Sequence, residues 1–174
     1  MLPDSPTLTV ALTVTVRLAR HDDLPKLEWH GQYRHFRALY QRAFREQQAG
    51  RRLMLLADAG GFPVGQIFVS LRTGAASALP HAYLHAFRVI ELLRGLGVGS
   101  FLLSYAENTA RDRGCQRAVI AVAKDNPRAQ QLYERRGYQV YGEDAGRWSY
   151  LDHEGVQRSV HEPCWLLEKW LAVR

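Results

Sequence analysis

The spacing of apolar positions changes period several times along the chain. Residues 10–18 are rich in β-branched side chains, the mark of a strand. From Asp23 the period lengthens: Trp29, Tyr33, Phe36, Tyr40 and Phe44 fall three or four apart, a stripe that predicts one or two helices closed by Gly50. Residues 53–57 and 64–71 are apolar strands on either side of the turn Ala59, Gly60, Gly61, and predict an antiparallel hairpin. A loose segment, 73–80, leads to a fourth strand at 83–90. Val98, Phe101, Leu102, Tyr105, Ala106 and Thr109 then recur at helical spacing until Gly114 stops the helix. A fifth strand follows at 118–123.

Asn126 and Pro127 open another helix, as N-cap and first helical residue, and Gly137 ends it. Residues 138–142, 148–151 and 164–170 read as closing strands, with a turn at 152–155 between the last two. A strand–helix–strand unit in the middle implies local parallel pairing in an otherwise antiparallel sheet. The expected fold is therefore α/β (α+β), with a mixed central sheet of about seven strands and four or so helices. No repeat or long linker divides the chain. Residues 1–174 read as one domain, with 1–9 a loose N-terminal segment.

Composition narrows the function. With 174 residues, 47% hydrophobic and 23% charged, the chain can bury a core without disulfides or metal. The formal charge of +6 comes largely from arginines spread along the chain rather than clustered in a tail. That pattern speaks against a nucleic-acid partner, although a basic surface also attracts a cofactor with several phosphates. Cys115 and Cys164 give neither a disulfide framework nor a zinc pattern, and the histidines lack metal spacing, so no metal is expected. Two free cysteines fit a reducing compartment. There is no leader pattern and no apolar run of bilayer length, so the expected location is cytoplasmic, with no membrane partner.

The chemistry concentrates where the fourth strand hands over to a helix, at Arg94, Gly95, Leu96, Gly97, Val98 and Gly99. First-turn amides have no partner inside their helix, and with the helix dipole they form an anion site. A phosphate loop of the G-x-x-x-x-G-K type needs a Gly-Lys pair, which is absent. The dinucleotide pattern G-x-G-x-x-G fails as well, because the sixth position is Ser100 or Leu102.

The segment resembles the acyl-CoA signature of the GNAT superfamily of N-acetyltransferases, R/Q-x-x-G-x-G/A, met by Arg94, Gly97 and Gly99. Glu91 stands where that family often has proline. A second block, from Asn126 through Ala129 and Tyr133 to Gly137 and Tyr138, resembles the family's N-x-x-A-x-x-x-Y-x-x-x-G-F/Y. The resemblance implies a sheet splayed between strands four and five and the binding of acetyl-CoA (coenzyme A). It implies that the amides of Leu96, Gly97, Val98, Gly99 and Ser100 wrap the pyrophosphate. Val89 and Asn126 would meet the pantetheine arm, and Tyr133 would protonate the departing thiolate. From the residues alone, Tyr133 could equally be core, since it shares an apolar helix face with Ala129 and Leu132.

A base must free the lone pair of the acceptor amine. The fourth strand carries no acid but offers His81 and His85, whose ordinary pKa near roughly 6.5 suits proton acceptance. Strict alternation puts His81, Tyr83, His85 and Phe87 on one face. Either histidine could instead be a plain surface or interior residue, with water as the base. Glu28, Trp29, Tyr33, Trp148, Tyr150 and Asp152 are candidates to touch the acceptor. The resemblance implies acetyl transfer to a primary amine of a small molecule or peptide by direct attack in a ternary complex, and a homodimer by family habit. A non-catalytic acyl-CoA sensor is the competing reading, which Tyr133 opposes because binding alone needs no proton donor.

Overall fold

A computed structural model of the protein describes residues 8–72 and 79–171. Most of the expected N-terminal segment and of the loose segment 73–80 therefore lies outside the described residues, and residues 8–14 carry no regular structure. The strands of the main sheet are β1 Thr15–Leu18, β2 Arg52–Ala59, β3 Phe62–Arg72, β4 His81–Val89, β5 Arg117–Ala123, β6 Gln139–Asp144 and β9 Cys164–Trp170. They lie in the order β1-β2-β3-β4-β5-β9-β6, antiparallel except for the β4–β5 pair. The helices are α1 Arg37–Gln48, α2 Val98–Asp112 and α3 Pro127–Arg135, joined among the described residues by four single 3-10 turns. Three of those turns, within residues 21–36, occupy the stretch where helix was expected before α1.

The closing region differs from expectation. A further strand, β8 Gln157–His161, pairs with β7 Arg147–Leu151 in a separate two-stranded sheet. The turn at 152–155 therefore closes this hairpin rather than leading into β9. Asp152 holds it: its buried carboxylate accepts from the amides of Glu154 and Val156 and from the guanidinium of Arg158. A short strand of mostly polar, exposed residues leaves no periodic signal in the sequence.

Apolar residues cover both faces of the main sheet. On one face Leu55, Ile67, Leu84 and Ile120 pack with Leu102, Leu103 and Ala106 of α2 and Tyr133 of α3. On the other, Met54, Leu56 and Phe68 pack with Leu27 and with Tyr40 and Ala43 of α1. Leu84 is fully buried, so truncation to Ala would cost about 2–5 kcal/mol. This double support holds β4 and β5 at the centre of the molecule, where they separate.

Candidate active site

β4 and β5 are paired from His81 opposite Arg117 to Leu84 opposite Ile120, and their register ends there. Beyond that point β4 continues to Val89 and β5 to Ala123. Parallel strands that part leave main-chain groups facing a slot, and such groups need partners. The slot opens into a cavity of about 910 Å³. Phe87, Ala121, Ala123, Asn126 and Tyr133 line it on the slot side. Tyr40, Phe68, Tyr83, His85 and Arg88 line the opposite side, and Trp148 and Cys164 belong to a third wall.

A bulge in β4 sets which side chains enter. Gln66 faces Arg88 and Phe68 faces His85, so Ala86 and Phe87 together oppose one residue of β3. Ala86 takes φ +50°, rare for a residue with a Cβ, and the buried amide of Gln66 donates to its carbonyl at 3.0 Å. The bulge overturns the expected alternation. Phe87 turns to the α2 side, while Ala86 and Arg88 stay with Tyr83 and His85 on the α1 side.

At the end of β4 the glycine-rich turn is built by backbone conformation. Gly97 is the N-cap of α2 with φ +87°, and a Cβ there would meet nothing within 4 Å, so its need for glycine is left-handed backbone rather than space. At Gly99 a Cβ would sit 3.4 Å from the ring of Phe87. The first helical bond runs from the Phe101 amide to the Gly97 carbonyl, which leaves the amides of Val98, Gly99 and Ser100 without a helical acceptor. Leu96 is exposed beside them. Arg94 Nε donates to the Val89 carbonyl at 3.0 Å and fastens the turn to the strand. The Val89 side chain packs against Gly99, and Phe87 with residues 121–123 of β5 line the cavity.

Asn126 caps α3 through Oδ1, which accepts from the Ala129 amide at 3.1 Å, and its side-chain NH₂ remains a donor at the cavity wall. Tyr133, 6% exposed, packs against the rings of Phe87 and Tyr138. It is therefore part of the core and part of the cavity wall at once. Burial pushes its phenol above the ordinary range, which keeps it protonated.

The two histidines separate. His81 sits at the far end of β4, where the strands are still paired; its Nδ1 lies 3.1 Å from the Leu79 carbonyl and it does not line the cavity. His85 does line it, stacked on Tyr83 and with Nε2 3.0 Å from Ser70 Oγ. Burial first, and then the charges of Arg52 and Arg88, push its pKa down to about 3. The imidazole is thus neutral in the working pH range and a weak base. Two carboxylates outside both motifs, Asp144 at the end of β6 and Glu162 just before β9, reach the third wall. Of the acceptor-side candidates, Trp148 lines the cavity and Tyr33 lies under Arg88, whereas Trp29 donates to the Pro63 carbonyl and Glu28 pairs with Arg37.

No helix among the described residues is long and apolar enough to cross a membrane, and no group of metal-ligating side chains is found among them. Comparison with known proteins agrees with the geometry. The chain is 42% identical over 60 residues to "Acetyltransferase Atu2258" of Agrobacterium fabrum, a stretch that is 34% of this chain and 42% of that relative's length. Among solved structures, Arabidopsis thaliana Naa50 in complex with a bisubstrate analogue, CoA-Ac-MVNAL, superposes with a TM-score of 0.65 at 19% identity, covering 90% of this chain and 97% of that one. The PaiA N-acetyltransferase of Thermoplasma acidophilum in complex with coenzyme A gives 0.68 at 18% identity, covering 91% and 99%. These likenesses show a shared fold. The profile of the acetyltransferase (GNAT) family matches residues 18–138, across both motif blocks and the splayed strands, and the chain belongs to that family.

Proposed function

We propose that the protein transfers an acetyl group from acetyl-CoA to a primary amine, by direct attack with both substrates bound. The observation that carries this reading is the β4–β5 slot, with Phe87 and Tyr133 in its wall and with the open first turn of α2 reaching it where Gly99 lies against the Phe87 ring. The residues present fit the cofactor. The amides of Val98, Gly99 and Ser100 can donate to a pyrophosphate, and Asn126 can donate to an extended amide arm lying between the strands.

Acetyl-CoA supplies the acetyl group as a thioester, whose carbonyl carbon is attacked by a neutral amine with loss of the thiol. Tyr133 donates a hydrogen bond to the departing sulfur. Since a thiol titrates near roughly 8.5 and this phenol well above it, full proton transfer is uphill, and the hydroxyl acts mainly by stabilising thiolate character as the bond breaks. His85 is the histidine placed to meet the amine; being neutral, it accepts a hydrogen bond and orients the lone pair, while the proton leaves to water. Cys164 lies at the cavity, but its thiol is pushed up by burial and by Glu162 and Asp144, and it donates to the Glu162 carbonyl, so it is a poor nucleophile. Its free thiol, like that of Cys115, suits the cytoplasm where this reading places the protein.

An amine panel monitored by thiol release tests the reading: release that requires both acetyl-CoA and an amine supports it. Binding of acetyl-CoA without turnover on any amine would point to a sensor.

A further inference from the structure

The acceptor side of the cavity carries more positive than negative side chains. Arg42, Arg52, Arg88 and Arg147 line it, against the carboxylates of Asp144 and Glu162. Three of these charges are already engaged. Glu46 bridges Arg42 and Arg52 at 3.0 and 2.8 Å, and Asp144 accepts from the Gly146 amide at 2.6 Å. Neither Arg147 nor Arg88 has a carboxylate partner among the described residues, and of the two Arg88 is the one held by aromatic rings. Its guanidinium lies over the faces of Tyr33 and Phe36, 4.6 and 4.9 Å from their centroids.

The placement depends on local backbone strain. Regular alternation would send Arg88 to the α2 side, but the bulge at Ala86 returns it to the face of Tyr83 and His85. A non-glycine residue at φ +50° is strained, and such strain persists where the surrounding structure enforces it. Its charge is felt nearby: after burial, Arg88 contributes to lowering the pKa of both His35 and His85. A planar guanidinium with free donors matches a carboxylate or phosphate in bidentate geometry. An acceptor bearing only an ammonium would meet repulsion from the same group.

Resting on the acetyl-transfer reading, we infer that the acceptor is an amine that carries its own carboxylate or phosphate, and that Arg88 anchors that anion while the aromatic wall of Phe36, Tyr83 and Trp148 holds the body of the molecule. The anion fixes the position of the amine relative to the slot and offsets the positive field of the wall.

The test uses matched acceptors: α-amino acids against their amides, amino sugars against their phosphates, and a C-terminally amidated peptide with neutral side chains. Wild type should favour the anionic member of a pair in kcat/KM by roughly ten- to a hundredfold, the usual worth of a charge-assisted contact. Whichever pair shows the preference identifies the anion. Arg88→Met should abolish the preference through KM, Arg88→Lys should keep part of it, and calorimetric affinity for acetyl-CoA should be unchanged in both. Preference for neutral amines or the peptide in wild type, or an undiminished anion preference in folded Arg88→Met and Arg88→Lys, overturns the inference while acetyl transfer stands. Failure to bind acetyl-CoA overturns both.

Discussion

The two ends of the cavity are built on different principles. The slot end is a main-chain site: Gly97 in left-handed conformation, the open amides of α2, and the unpaired edges of β4 and β5. The acceptor end is a side-chain site, assembled from α1, β2, β4, the β7–β8 hairpin and the approach to β9. Backbone recognition tolerates sequence change so long as the conformation survives, and suits a cofactor that does not vary. Side-chain recognition can be re-cut residue by residue, and suits an acceptor that does.

The sharpest test of the slot end is Tyr133→Phe. The ring keeps its packing on Phe87 and Tyr138 and loses only the hydroxyl. kcat should fall by roughly ten- to a thousandfold with acetyl-CoA affinity unchanged, measured by steady-state kinetics and calorimetry. A variant with wild-type turnover and rate-limiting chemistry would make Tyr133 core filler. Next in size is Gly97→Val. With φ +87° at Gly97, a β-branched side chain distorts the turn locally, and acetyl-CoA should bind about tenfold more weakly or worse. A Cβ there touches nothing, so the melting temperature without ligand should fall only by the backbone strain of a non-glycine residue at positive φ.

The same contrast explains what was legible in the sequence. Gly97 and Asn126 are legible because left-handed backbone and a helix cap restrict residue type, and Gly99 because a Cβ would meet the Phe87 ring, whereas the role of Tyr133 is legible only through the resemblance of its motif block. The acceptor wall was not, because Arg88, Asp144 and Glu162 come together only through the fold. The bulge at Ala86 is the clearest case: alternation placed Phe87 beside His85, and one extra residue in β4 reversed it. His81 was a candidate only because it lies on the same strand as His85, four residues nearer its start.

Smaller effects sharpen the account of His85. With its pKa pushed down to about 3, turnover should show no inflection between pH 6 and 7 from this residue and should instead follow titration of the acceptor amine. His85→Gln should therefore lower kcat/KM by less than about tenfold, below the usual range of a true general base. Stability should show its presence too. The folded protein keeps His85 neutral, while the unfolded chain takes up a proton near pH 6.5, so the unfolded state binds more protons below that value and the melting temperature falls as pH drops. Asp23 and Asp152, held below the usual carboxylate value by Arg17 and Arg158, add a second loss at lower pH as they are protonated. His85→Gln should flatten the first fall and leave the second, as followed by melting curves from pH 7 to 3.

The central claim is that the parted strands and the open amides of α2 form an acetyl-CoA site. Isothermal titration of the intact protein with acetyl-CoA measures it directly. The account predicts one-to-one binding with a micromolar dissociation constant, accompanied by a rise in melting temperature because the ligand binds the folded state. No heat of binding and no thermal shift at millimolar acetyl-CoA would contradict it.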